Sequence, residues 1–487
     1  MPRIELEYAD GFYVSQSPGL IEKRVVNVYP VIPQAEAVSK RALLRTPGTK
    51  ELADFGDLSS RGVLVFTNGT PYRVIGNELV SVSALGVKTI HGKINGTSDV
   101  SMASNGINVA IQDPFGGSYF FTPSTNILEV NDDSAFLNQG QAKTVTYKDG
   151  FYIYTTESIF FSGSAKTTND GKDFNALDFA DAETSPDKTV KGHNNHNQLY
   201  IFGETAAEVY QTVATSGFPF KKIPGAIIQK GCAAANSVID FDNTMLFLGG
   251  GKGELPAIWR VTGSSAQKVS TSSVDYLIQG STPKEISETR AFSYAQNGDY
   301  FAVFSVGSHT FVYDATTSAL SGKHEWHERQ TGVTDGNNYL PWRSIHGVKA
   351  YGKIQVGDDR SGVVGELDFD LKKEYGERVE RLFTTKPFEA NGDSIFSHEV
   401  ELIMRTGVGD DLTPNPKIRM DYSDDGGKTF SGEISRPMGR VGEYSNRVRW
   451  SRLGRIPNSR VLRFKMSDPV EFNVYSLFAN AESVNSG

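Results

Sequence analysis

Apolar residues recur along this chain in short alternating runs of about four to eight residues, bounded by Gly, Asn, Asp and Pro, which is the pattern of strands joined by turns. Residues 62–82 hold Gly62-Val-Leu-Val-Phe66, Asn68-Gly69, Tyr72-Arg-Val-Ile75 and Glu78-Leu-Val-Ser-Val82. A second cluster spans 100–130 around Asn105-Gly106, and a third spans 144–161 around Asp149-Gly150. Asn-Gly and Asp-Gly favour tight hairpins because both residues tolerate positive φ. Further meanders begin near Val190, Cys232, Thr289 and Arg343, the sixth turning at Asn297-Gly298. The 3.6-residue period is almost absent. It predicts only short helices at 275–279, 283–287 and 371–377.

Seven such units between Gly62 and Thr385 average roughly 46 residues, within the range of four-stranded propeller blades. The chain carries no Trp-Asp or kelch signature, so six to eight blades all fit the spacing. From about Lys386 the strands lengthen and alternate more cleanly, as in His398-Glu-Val-Glu-Leu402 and Lys417-Ile-Arg-Met-Asp-Tyr422, which predicts a separate β-sandwich over 386–487. The first 61 residues, with Pro18-Gly19, Pro30, Pro33 and Pro47-Gly48, read as an irregular segment that packs on the propeller of 62–385 or supplies its closing strand. The expected fold class is therefore all-β, a propeller followed by a sandwich.

The 487 residues include 29 Phe and 20 Tyr, enough apolar area for real cores. The single cysteine, Cys232, excludes an intrachain disulfide and reads as a small buried residue. The N-terminus lacks a basic region followed by an apolar run, and no apolar run reaches membrane-spanning length, so neither a signal peptide nor a membrane anchor is expected.

Candidate chemistry is sparse, and no catalytic, metal or cofactor residue is assigned. Ser423-Asp424-Asp425-Gly426-Gly427-Lys428-Thr429-Phe430 fits an Asp-box, in which Ser423, Asp425, Gly427, Thr429 and Phe430 build a turn with an aromatic plug. Residues 168–174 are a degenerate copy. Asp-boxes occur in sialidases, which makes a carbohydrate-active propeller or depolymerase the alternative to a structural protein, with a generic interaction scaffold as a third reading. The box is a folding turn, however, and its better copy falls outside the propeller. His193/His196 and His324/His327 have metal-type spacing, but neither pair sits in a helical pattern. The run 249–253 reads as a blade hairpin and lacks phosphate-loop order.

Charge singles out one window. The chain has net charge -8, yet residues 436–465 hold eight Arg, one Lys and a single acid, Glu443. In Arg447-Val-Arg-Trp450, alternation turns Arg447 and Arg449 one way and Val448 and Trp450 the other. In Arg460-Val-Leu-Arg-Phe-Lys-Met466 it turns Leu462, Phe464 and Met466 inward, with Arg463 and Lys465 outward. With residues 456–459 as the turn, the two strands are expected to be neighbours presenting Arg447, Arg449, Arg452, Arg455, Arg463 and Lys465 as an interface. Arginine suits bidentate contacts to carboxylate or phosphate. The acidic chain favours a protein partner over DNA.

The same stretch carries a resemblance. Arg447-Val-Arg-Trp-Ser-Arg-Leu-Gly-Arg-Ile456, together with Arg45-Thr-Pro-Gly-Thr-Lys50, Tyr72-Arg-Val74, Val100-Ser-Met-Ala103, Gln229-Lys-Gly231, Val312-Tyr-Asp-Ala315 and Thr406-Gly-Val408, resembles in order and spacing the tail hub, or nozzle, proteins of short-tailed bacteriophages, also called packaged DNA stabilisation proteins. The resemblance implies a propeller with an added β-domain and no enzymatic activity. It implies six copies in a ring below the portal and adaptor, extending the channel for double-stranded DNA, holding a needle or plug, and carrying tailspikes or fibres. Such a protein is made in the host cytoplasm and resides in the virion tail. The chain departs from the family pattern at 163–191 and 409–416.

Overall fold

The computed structural model describes residues 3–8, 13–14, 22–33, 39–164, 173–181, 187–213, 217–333, 340–389 and 394–484. Seven antiparallel meanders follow one another, each with its first strand innermost. Blades one to six occupy residues 60–93, 101–130, 144–181, 189–228, 231–268 and 290–328. Blade seven takes Ser344–Ala350, Lys353–Asp358 and Val363–Asp368 from its own region and its outermost strand, Gly48–Asp54, from near the N-terminus. The register Glu51↔Gly365 and Thr49↔Leu367 thus closes the ring with a strand from some 300 residues upstream.

Adjacent residues of one strand serve different blade interfaces. In blade two, Tyr119 and Phe121 pack toward blade one, whereas Phe120 packs with Tyr152 and Phe161 of blade three. Burial on both faces explains why central strands read as nearly continuous apolar runs. Asp149-Gly150 and Asn297-Gly298 adopt positive φ at both positions, the geometry of tight hairpins. Gly249 lies where a Cβ would overlap the Gly231 carbonyl of the neighbouring strand, so no other residue fits that approach. Cys232 is buried beside it, its thiol pushed up by that burial.

Two of the three expected helices form, as Ser272–Gln279 and Pro283–Ser287. The third does not. Lys373–Glu374 and Glu377–Arg378 are paired strands around Tyr375 and Gly376, both at positive φ, and Glu374 pairs with Thr49. A helix that alternation did not reveal, Ala315–Ser321, starts where Asp314 accepts from the Thr317 N–H at 2.9 Å and stops at Gly322 with φ 69°. Among the described residues no helix is long and apolar enough to cross a membrane.

The described residues of the N-terminal stretch, which its prolines and glycines made look irregular, are largely short strands shared between the two folded units. Val28–Val31 and Ala42–Arg45 extend one sandwich sheet, whose order is Val448–Ile456, Ser394–Met404, Asn473–Val484, Ala42–Arg45, Val28–Val31. Arg3–Glu5 pairs with the same Asn473–Val484 strand. Val25–Val26 lies between blade six and the second sandwich sheet: Val26 pairs with Glu328 on one side and Leu382 on the other. One hydrogen-bonded sheet therefore runs from blade six through Val25–Val26 and Arg381–Thr384 into Ser459–Met466, Lys417–Ser423 and Ile434–Pro437. The sandwich core centres on Trp450, Phe464, Phe383 and Met420, with Phe383 and Phe464 stacked at 4.9 Å and Trp450 edge-on to Phe464 at 5.4 Å.

Two buried histidines set a pH window. Burial, reinforced by the Arg329 charge, lowers His327 to about 3, and neither of its ring nitrogens has a hydrogen-bond partner. Burial lowers His346 to about 4, with Asp99 opposing and Arg290 and Arg73 assisting. The unfolded chain takes up protons near the usual histidine value of about 6.5 that the folded chain refuses, so stability falls as pH drops below about 6.5. For His327 the loss at pH 5 is about 2 kcal/mol. Asp314 and Asp359, each raised to about 6 mainly by burial, act in the opposite direction over the same range. The His327→Phe variant is expected to lose less thermal stability than wild type between pH 7 and pH 5, measured by scanning calorimetry. An equal loss in both would show that His327 does not carry the effect.

Candidate interaction surface

Among the described residues Val448–Ile456 is an edge strand that pairs only with Ser394–Met404. Its Val448, Trp450, Leu453 and Ile456 side chains are buried, and Arg447 and Arg449 stand on the outer face, as alternation predicts. They are not free there. Glu401, directly opposite Arg449 and itself 5% exposed, accepts from Arg449 Nε at 3.0 Å, Arg447 Nη2 at 2.7 Å and Arg3 Nη2 at 3.2 Å. Three guanidinium groups thus surround one carboxylate, and Glu399 lies 3.9 Å from Arg449.

The expected pairing of this strand with Ser459–Met466 does not occur. Ser459–Met466 lies in the opposite sheet, between Arg381–Thr384 and Lys417–Ser423. The short link between the two strands carries the chain from one sandwich layer to the other, and Trp450 meets Phe464 across the core. Arg463 and Lys465 do project away from that core, yet they are only 7% and 3% exposed and do not join the outer arginine face. Asp421, opposite Arg463 in register, binds its guanidinium at 2.9 and 2.7 Å and the Lys465 ammonium at 3.2 Å. Glu433 adds a 2.9 Å contact to Lys465, and Phe430 stacks on Arg463 at 3.4 Å. The neutralising acids lie 32 and 42 residues away in sequence, so the charge of the window overstates the charge of the surface.

Arg452 and Arg455 are different. The register passes from Ser397↔Gly454 to Glu399↔Ser451, a bulge that places Arg452 at φ 61° and Gly454 at φ 76°. Both arginines are exposed. Arg455 donates to Ser394 Oγ at 2.8 Å, and Arg452 has no partner among the described residues. The positive φ of Arg452 belongs to this bulge, which breaks the strand's alternation. Arg460, which sequence reasoning placed only within the basic run, is a structural clamp. It is 3% exposed, bound to Asp424 at 2.6 and 2.7 Å and to the Leu453 carbonyl at 2.6 Å, and it stacks on Tyr422 at 3.9 Å.

The Asp-box supplies that Asp424. Asp425 accepts from the Ser423 hydroxyl at 2.6 Å, the Thr429 hydroxyl at 2.6 Å and the Lys428 and Thr429 N–H groups at 3.0 and 2.9 Å, which together hold its carboxyl well below the usual range. Gly426 and Gly427 take φ 76° and 97°. Phe430 plugs onto Arg463, so the motif is a turn that braces the sandwich. The degenerate copy at 168–174 lies outside the described residues except for Asp173 and Phe174.

The seven innermost strands enclose a funnel of about 920 Å³. One end is spanned by Asp99, which binds Arg290 at 2.6 and 3.0 Å, Asn236 at 3.3 Å and His346 at 4.0 Å. Nearby, Arg343 pairs with Asp358, and Arg360 lies 3.4 Å from Asp359, so these arginines have internal carboxylates. At the other mouth His193 contacts Asp240 at 2.9 Å, and His196 contacts Asn195 and Asn243 at 2.7 and 3.1 Å. His324 contacts the Tyr313 hydroxyl at 3.3 Å, and His327 is buried against Tyr29 and Phe301. Neither histidine pair converges on a common point.

A seven-bladed propeller knitted to a sandwich by shared strands, with most of its buried charges neutralised internally, defines the class: a propeller–sandwich protein. The chain belongs to the bacteriophage P22 Gp10 family: the description "Bacteriophage P22 Gp10, beta-propeller" matches residues 4–372, and "Bacteriophage P22 Gp10, beta-sandwich" matches residues 380–482. This makes it a tail hub protein of the short-tailed phage type, a component of the virion tail. The tail hub protein gp10 of Salmonella phage P22 is 25% identical over 447 residues, covering 88% of this chain and 89% of that protein. Among solved structures, the extracellular domain of the putative hybrid two-component system BT3049 from B. thetaiotaomicron aligns with TM-score 0.40 and 11% identity, over 66% of this chain and 41% of that one. The N-terminal domain of Nup159 aligns with TM-score 0.40 and 8% identity, over 69% of this chain and 97% of that one.

The two kinds of arginine separate under mutation. Asp421→Ala leaves the buried Arg463 without its carboxylate and Lys465 with Glu433 alone, and is expected to cost about 3–5 kcal/mol. Arg447→Ala removes an exposed guanidinium from a carboxylate that Arg449 and Arg3 still neutralise, and is expected to shift the denaturation midpoint far less than Asp421→Ala does. Urea titration of both variants checks this, and equal destabilisation would overturn the assignment.

Proposed function

We propose that this chain is the ring-forming, non-enzymatic hub of a short phage tail, docking below the portal and adaptor, extending the DNA exit channel, and carrying the needle and the spikes or fibres. The observation that carries the reading is the two-part family match, propeller then sandwich, over nearly the whole chain. Two structural features support it. Sheet continuity makes the two units one stiff body, as a load-bearing wall segment requires. The funnel of a single propeller is bridged at one end by Asp99 and Arg290, so the path for a DNA duplex lies between subunits of the ring and not along a propeller axis. The net charge of -8 suits a wall that DNA slides past without being gripped.

Electron microscopy of the protein mixed with portal–adaptor rings tests the proposal. A six-fold layer added beneath the adaptor is the expected result, and absence of any added layer would refute it. Arg452→Glu combined with Arg455→Glu is expected to keep the unfolding temperature of the free protein while lowering ring occupancy at least ten-fold, because opposite charge at a docking contact is strongly unfavourable. Undiminished occupancy would remove these arginines from the interface.

A further inference from the structure

Outer blade strands carry unpaired backbone edges, and natural proteins guard such edges with lysine, proline, short length or a covering segment. Most blades here follow that rule. The outer strand of blade one, Lys88–Lys93, has a lysine at each end, and Phe220–Ile228 of blade four contains Lys221, Lys222 and Pro224. Ser265–Lys268 of blade five ends in lysine, and Ile127–Val130 of blade two is only four residues long. The outer strands of blades six and seven are covered by Val25–Val26 and Lys373–Glu374. Blade three breaks the pattern. Its outer strand, Asp173–Asp181, has nine residues and no Lys, Arg or Pro; six of the nine are exposed, while Phe174 packs against Phe136 and Phe161 and Gln139 donates to the Ala176 carbonyl at 2.8 Å. Its register passes from Gly163↔Phe174 to Phe161↔Phe179, so residues 175–178 bulge outward opposite Ser162 alone. Leu177 on that bulge is 79% exposed and Phe179 beside it 41%.

We propose that this bulged acidic strand receives the Arg452–Arg455 bulge of a second copy of the chain, joining successive subunits head to tail. The inference rests on the ring reading above and names its contact. Charge complementarity carries it. The strand offers Asp178 and Asp181 beside an apolar tip of Leu177 and Phe179, and the sandwich edge offers two exposed arginines beside Phe396, which pairs with Arg455 in register and is 37% exposed. Burial and the neighbouring Asp173 already raise the Asp178 carboxyl, a strain that an incoming guanidinium relieves. The two patches lie on different units and differ in character, as a heterologous contact that closes into a ring requires.

The test is a cysteine pair, Leu177→Cys with Arg452→Cys, in assembled tails, where the native Cys232 is buried and silent. Oxidation is expected to yield a ladder of covalent multimers on a non-reducing gel. In parallel, Asp178→Arg and Arg452→Glu should each lower ring occupancy at least ten-fold, and the double swap should restore most of it, with unfolding temperatures of the free variants unchanged. Normal rings with no ladder and unaffected single variants would overturn this contact while leaving the hub reading intact. Absence of rings from wild-type protein would sink both. Rings that form normally with Leu177→Asp but lose their spikes would assign the strand to the spike instead and refute the proposal.

Discussion

The two-residue strand Val25–Val26 is the constraint on which the architecture depends. It is hydrogen-bonded to blade six through Glu328 and to the sandwich through Leu382 and Phe383. The residues on either side lock it. Arg24 binds the buried Glu328 carboxylate at 2.6 and 2.8 Å, and Asn27, at φ 55°, donates to the Gln330 and Glu380 carbonyls while accepting from the Gln330 N–H. Both units therefore use the same few backbone groups, and a hinge between them would require breaking buried hydrogen bonds and a buried ion pair. A propeller and a sandwich that are separable on paper become one rigid body.

Ring closure uses the same N-terminal stretch. Gly48–Asp54 completes blade seven after the chain has already supplied Val28–Val31 and Ala42–Arg45 to the sandwich. A long stretch of chain must be wound before that strand finds its partner, so closure is a non-local step with a high entropic cost. Arg45, 1% exposed, marks the crossover: it binds Glu471 at 2.9 Å, donates to the Leu371 carbonyl at 3.1 Å and lies 4.5 Å over Phe369.

Much of the secondary structure was legible because alternation and turn chemistry are local. Asp149-Gly150 and Asn297-Gly298 announce their hairpins in two residues, and Thr282 with Glu285 forms the capping box that starts Pro283–Ser287. The short N-terminal strands were illegible because two- to four-residue elements are too brief to show a period. The expected helix at 371–377 failed because pairing of Glu374 with Thr49, a partner far away in sequence, outweighs local propensity.

The candidate surface divides along the same line. The sequence by itself determined which way each residue of 447–450 and 460–466 points, because the period of a strand is two and is a property of the backbone. It also determined the blade spacing, the Asp-box turn and the ordered motifs that mark the family. Only the tertiary structure decided that these two strands lie in opposite sheets, and that Glu401, Asp421, Asp424 and Glu433 pair with Arg447, Arg449, Arg460, Arg463 and Lys465, half of the arginines of the run and its lysine. Only it decided that a bulge leaves Arg452 and Arg455 facing outward. The reason is physical: direction along a strand is set by covalent geometry between neighbours, whereas net charge at a surface is a sum over whatever the fold brings within a few ångströms.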